Sequence, residues 1–217
     1  MDTQSCKIIE NLLNTTASWA YGRPVAEIFI DVAIPEVAVK PEPESNLICV
    51  GVENPLVFVI GEESKSSVNT NNVPFAGDEA QLLDNMLSAI QLSKNSNCYI
   101  ASFAKCTSSD TTPFSPEMEK YATVIQERIA MLKPRIILAV GRVAAQCLLN
   151  MQSGIAEFHG QFFDYKSTPF MATYHPSALL REPNYKKIAW DDLKHFKAKL
   201  QGICPGYEQS FINSVHG

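Results

Sequence analysis

Phe170-Met171-Ala172-Thr173-Tyr174-His175-Pro176-Ser177-Ala178-Leu179-Leu180-Arg181 begins as an apolar run, stops at a histidine and turns at a proline. It then sets two leucines and an arginine on what should be an exposed loop. The run predicts a strand over Phe170 to Tyr174. Taken alone, the histidine is a solvated or satisfied side chain, and Leu179-Leu180 begin a buried helix. A functional loop is the alternative, and the choice depends on where the rest of the chain places this segment.

On the C-terminal side, Ala189, Leu193, Phe196 and Leu200 are spaced as the core stripe of a helix whose other face holds lysines. On the N-terminal side, Arg135 to Val140 is a strand ended by Gly141 and followed by a helix over Arg142 to Asn150. Further back, Leu56-Val57-Phe58-Val59-Ile60 is a continuous apolar run, as in a strand buried on both faces. Asp78 to Leu92 has Leu82, Leu83, Met86, Leu87 and Ile90 at helical spacing. A strand over Cys98 to Phe103 leads through a polar loop to a helix opened by Ser115-Pro116-Glu117. Strand and helix thus alternate, which predicts a three-layer α/β/α fold around a mostly parallel, four-stranded central sheet. Ligands of such sheets sit beyond the carboxyl ends of the strands. Here those ends are Gly61-Glu62-Glu63, Ser102 to Cys106, Gly141-Arg142 and His175-Pro176-Ser177. Their convergence is what favours a functional His175.

The 217 residues accommodate one large domain plus an extension. Ile8, Ile9, Leu12, Leu13 and Trp19 predict an amphipathic helix within residues 4 to 20, and the three prolines between Ala33 and Ser45 predict a tether. The expected organisation is an N-terminal helix and tether over 1–45, a domain over 46–204 and a tail over 205–217. No apolar run approaches the roughly 18 to 20 residues of a membrane span. The N-terminus lacks the pattern of a secretory signal, so the cytoplasm is the expected compartment. The six cysteines are scattered with no Cys-x-x-Cys pair, and reduced thiols are expected.

A formal net charge of −5 argues against indiscriminate nucleic-acid binding, but the charge is uneven. The first 45 residues hold seven acids against three bases, whereas Arg181 to Lys199 holds six bases (Arg181, Lys186, Lys187, Lys194, Lys197, Lys199) against three acids (Glu182, Asp191, Asp192). That basic segment follows the His175 loop and forms either a solvated helix face or a surface for phosphates.

From about Leu56 to Leu200 the sequence resembles the uracil-DNA glycosylase superfamily, specifically its family 4. The resemblance rests on Gly61-Glu62, Pro74-Phe75-Ala76-Gly77 with Gln81-Leu82-Leu83-Asp84, Tyr99-Ile100 through Lys105-Cys106, and Leu132 to Ile137. It continues through Gly141-Arg142-Val143-Ala144-Ala145, Ala172 to Ser177 with Leu179-Leu180-Arg181, and Trp190-Asp192-Leu193. It implies a DNA-repair hydrolase that swings a damaged base out of the duplex and cleaves its N-glycosidic bond. By the same resemblance, Phe75 stacks the flipped base and His175 donates to the departing base. Leu179 and Leu180 fill the gap left in the helix. Ser177 and Arg181, with Lys186 and Lys187 behind them, hold the backbone.

The sequence departs from the family pattern where the chemistry lies. The segment Gly61 to Pro74 has the family's length, yet the positions of its two acids hold Val68 and Asn69. The asparagine that reads the uracil edge aligns with Ser102, which is too short for a bidentate contact. Only Cys106 matches a ligand of the family's iron–sulfur cluster, so no cluster, metal or other cofactor is expected. Glu62 is retained as a candidate base, against the alternative that it only accepts hydrogen bonds from amides of its own loop.

Two functions follow. One is a base-excision glycosylase of weakened or altered base choice. The other is a non-enzymatic DNA-binding or replisome accessory protein, since the psi subunit of the bacterial clamp loader is similar to this superfamily in fold. Residues 1–20 would then dock a replisome or repair partner. A nucleotide-binding domain is disfavoured, because Gly61 is followed by two glutamates rather than a glycine-rich phosphate loop.

Overall fold

A computed structural model of the chain describes residues 47–63, 73–103, 116–150 and 152–216. The chain divides between Glu42 and Pro43 into two units, and all described residues belong to the second, Pro43–Gly217. The expected N-terminal helix and tether, the docking segment 1–20, and Val68, Asn69 and Cys106 lie outside the described residues.

The described chain forms β1 (Leu47–Gly51), β2 (Val57–Glu62), α1 (Gly77–Ser88), β3 (Cys98–Phe103), α2 (Pro116–Leu132), β4 (Ile136–Val140) and α3 (Arg142–Leu149). It continues with α4 (Ile155–Phe158), β5 (Phe162–Tyr165), β6 (Thr168–Thr173), α5 (Pro176–Arg181), α6 (Tyr185–Ile203) and α7 (Glu208–His216). The sheet order is β1-β3-β2-β4-β6-β5. The four central strands are parallel, as expected. The sheet nevertheless has six strands, because antiparallel β1 and β5 close its two edges.

Both edge strands are short and only half covered; β1 is apolar from Leu47 to Val50, whereas β5 is interrupted by Asp164. The β5–β6 hairpin also turns on Lys166 and Ser167, with φ of 49° and 68°, where a glycine would have signalled the turn. The Asp164 carboxylate accepts from the Ser167 amide at 3.0 Å and supports that turn. The residues expected as a tail carry α7, anchored by the buried Tyr207, whose hydroxyl donates to the Ile90 carbonyl at 2.7 Å.

Alternation along the strands builds two cores. Val57, Val59, Leu138, Val140 and Met171 face α1 and α6, meeting Leu83, Leu87, Leu193 and Phe196. Phe58, Ile60, Ile137, Ala139, Phe170 and Ala172 face α2 and α3, meeting Ile125 and Leu148. Burial on both sides is why these strands are apolar throughout. The parallel register aligns Ser102 with Gly61, Gly61 with Val140, and Val140 with Thr173. One row across four strands therefore marks the carboxyl edge, and the residues just past it are brought together.

Phe196 is fully buried between α6 and the sheet, whereas the Lys194 side chain is about half exposed. Phe196→Ala is expected to cost about 3–5 kcal/mol in urea unfolding and Lys194→Ala less than about 0.5 kcal/mol; equal losses would contradict this packing.

Candidate active site

His175 leaves β6 and becomes the N-cap of α5, with Pro176 in the first helical position. Its Nδ1 accepts from the Ser177 amide at 3.1 Å and lies 2.7 Å from the Ser177 hydroxyl. An accepting Nδ1 places the ring proton on Nε2, which donates to the backbone carbonyl of Glu62 at 2.8 Å. Burial pushes the imidazole down to about 4, the Glu62 carbonyl opposing the shift and the Arg181 guanidinium adding to it. At neutral pH His175 is a neutral ring with one fixed N–H.

The carboxyl group of Glu62 turns the other way, to the amides of Val143 and Ala144 in the first turn of α3. These belong to a different strand–helix junction, not to the glutamate's own loop. Burial raises its pKa to about 7, against the Arg142 guanidinium and those two amides. Oε2 is sealed from solvent without a hydrogen-bond partner.

Gly141 lets these groups approach. It caps α3 with φ of 108°, a conformation that side chains rarely adopt. A Cβ at this position would lie 3.2 Å from His175 Cδ2 and 3.5 Å from Glu62 Cδ.

Phe75 completes the cluster. Its ring centroid is 5.5 Å from that of His175 at 37°, and it packs against Gly61, where a Cβ would come within 2.5 Å of the phenyl Cζ. Phe75 holds φ of 60°, a left-handed conformation costing about 1–3 kcal/mol in a bulky residue. Only 1% of its surface is exposed. Ser102 is fully buried beside Gly61 in the sheet, and its Oγ has no hydrogen-bond partner.

The structure thus gathers His175, Glu62 and Phe75, with Ser102 one strand away from Gly61. It corrects the expectation of an exposed loop after His175. Residues 176–181 are helical, and neighbours on a helix point about 100° apart, so Leu179 enters the core at 2% exposure while Leu180 stands out at 42%. Leu179 is therefore not available as a wedge in this conformation. Ser177 is half-buried with its hydroxyl directed at His175, so its evident role is to set the ring tautomer. Arg181, Lys186 and Lys187 are exposed along the end of α5 and the start of α6.

The sequence assigns no role to one polar cluster, although Asp192 stands in the Trp190-Asp192-Leu193 match. Asp192 is buried on the core side of α6, where it accepts from the Thr173 hydroxyl at 2.7 Å and meets His159 Nδ1 at 3.0 and 3.2 Å. It ties α6 to the end of β6, two residues before His175. Within the helix its trace is an acid inside an apolar stripe.

The described cysteines do not form a metal site. Cys98 is fully buried and its thiol is pushed far up by desolvation, while Cys49, Cys147 and Cys204 lie on separate elements. Among the described residues no three His, Cys, Asp or Glu side chains converge as metal ligands. They therefore do not fit an iron–sulfur cluster.

Residues 50–194 match the family model described as the uracil DNA glycosylase superfamily. The chain belongs to this superfamily. Among curated proteins it is similar to the type-4 uracil-DNA glycosylase of Archaeoglobus fulgidus, at 28% identity over 166 residues covering 71% of this chain and 80% of that one. Similarity to the type-4 uracil-DNA glycosylase of Pyrobaculum aerophilum is 30% over 152 residues, covering 64% of this chain and 76% of the relative. A DNA polymerase of Bacillus phage SP01 is 23% identical over 130 residues, 59% of this chain and 14% of that protein. Among the described residues no helix is long and apolar enough to cross a membrane.

The buried glutamate of this superfamily member makes stability depend on pH. A carboxyl raised to about 7 binds its proton more tightly folded than unfolded, so its contribution is complete below about 4.5 and is lost as pH rises to about 7. Glu62→Gln is expected to gain on the wild type across that window, by up to about 3 kcal/mol in denaturant unfolding at pH 8. A difference that does not change between pH 4.5 and 8 would contradict it.

Proposed function

We propose that this chain is a DNA base-excision glycosylase that flips a damaged base, uracil or a related deaminated base, and hydrolyses its N-glycosidic bond. The observation that carries it is the neutral His175 with its single N–H, its ring centroid 5.5 Å from that of Phe75 at the carboxyl edge of the sheet. Membership of the superfamily and the names of the archaeal relatives support it.

In this scheme a base entering the cleft stacks on Phe75 and takes the place of the Glu62 carbonyl as acceptor from His175 Nε2. The C1′–N bond breaks with its electron pair departing on the base, and His175 stabilises the charge developing on the base oxygen. The low pKa belongs to the imidazolium, so the ring enters the reaction neutral, and the N–H of the neutral imidazole is too weak an acid to be given up. The sugar becomes oxocarbenium-like, and a water oxygen bonds to C1′ as its proton passes to the Glu62 carboxylate. The unpartnered Ser102 hydroxyl would make one contact to the base edge, in place of the two an asparagine makes. Base choice is accordingly relaxed. Leu180 fills the vacated stack, with Arg181, Lys186 and Lys187 on phosphates.

A second function is favoured by one feature. The His175 donor is occupied by the protein's own carbonyl, and Phe75 is sealed. A catalytically degraded DNA-binding or replisome accessory protein would keep the cleft shut in this way.

Duplexes carrying uracil or hypoxanthine, treated with alkali after incubation, separate the two. Base release is expected, rising with pH through about 7 as Glu62 ionises. It should fall about 10²–10³-fold in His175→Ala, fall in Phe75→Ala, and lose the pH limb in Glu62→Gln. Binding without release of either base at high protein concentration would establish the second function instead.

A further inference from the structure

Helix α6 buries Ala189, Asp192, Leu193, Phe196 and Leu200, which fixes its opposite face towards solvent. That face carries Lys186, Trp190 and Lys194 at four-residue spacing, with Lys187 one turn before Trp190, so all four residues lie on one side of the helix. All are exposed, Trp190 at 42%. The neighbouring acids do not neutralise the face. Asp192 points inward to Thr173 and His159, and Asp191 pairs with Lys194 at 2.7 Å between two half-exposed side chains and also attracts Lys187, solvent-screened interactions of little net strength. An indole ring held in water among cations, on a chain of net charge −5, is a place where apolar area and positive charge are concentrated together.

Position specifies the occupant. Helix α6 starts just after α5, which ends at Leu180 and Arg181, and Trp190 is five residues along it, about 7–8 Å below its first residue. A strand leaving the cleft past Arg181 would run down this face. An indole can stack only on a base whose face is free, and bases inside a duplex are covered on both faces.

We propose that the outer face of α6 is a single-stranded DNA site in which Trp190 stacks an unpaired base while Lys186, Lys187 and Lys194 hold the flanking phosphates. This rests on DNA being the partner of the cleft, and it adds a preference for targets with unpaired sequence beside the lesion.

The test uses the full chain with Trp19→Phe, so that Trp190 is the only tryptophan. Titration with a twelve-residue oligothymidine is expected to quench its emission saturably, at a concentration at least about tenfold lower than a blunt duplex of the same length requires. Trp190→Ala should weaken oligothymidine binding about tenfold or more in fluorescence anisotropy, with Trp190→Phe recovering part of the loss. Lys194→Ala should reduce the slope of log affinity against log salt by about 0.7. Base release from a duplex is measured on the same proteins. Release without quenching, or an unchanged affinity in Trp190→Ala, overturns the single-strand site and leaves the glycosylase intact. Quenching without release upholds the site and removes the glycosylase. Failure to bind either DNA overturns both.

Discussion

The site depends on a close approach at Gly141. Three parallel strands end on one row, and the groups beyond them, the Glu62 carboxyl and the His175 ring, converge on a backbone of φ 108° where a Cβ would crowd the imidazole at 3.2 Å and touch the carboxyl at 3.5 Å. The absence of a Cβ lets the α3 amides reach the carboxyl while the imidazole closes over the Glu62 carbonyl. Both ionisable groups are thereby taken out of water, and their pKa values move towards the neutral form of each. Desolvation thus leaves a neutral N–H donor and a carboxyl near its midpoint at the same strand ends.

Rigid elements hold this arrangement. Ser177 and Pro176 fix the imidazole as the cap of α5, and Asp192 secures α6 to Thr173, so the basic helix and the histidine share one support. Packing of Phe75 in the core sustains its left-handed backbone and keeps the phenyl ring beside the imidazole. The carbonyl that occupies His175 Nε2 is the group that an incoming base must replace.

Much of the fold was legible in the sequence because the four central strands are buried on both faces. Val57 to Ile60 and Ile136 to Val140 have no polar position to interrupt them. The edge strands lie outside the strand–helix alternation: β5 turns on Lys166-Ser167 without a glycine, and β1, though apolar from Leu47 to Val50, is a short antiparallel edge. Glu62, Phe75, Ser102 and His175 could be found from strand ends and motif order. What could not be found depends on long-range packing. Only the structure shows that Leu179 turns inward while Leu180 does not, that Ser177 serves the ring, and that Glu62 bonds to α3. Asp192 and His159 are 33 residues apart, and nothing local pairs them.

The protonation state of one ring tests the account most directly. Nitrogen-15 NMR of histidine-labelled protein should show His175 as the neutral tautomer with its proton on Nε2, unchanged from pH 8 to pH 5 and titrating only near 4. A ring that takes up its second proton near 6.5, or one that carries its neutral proton on Nδ1, would contradict it.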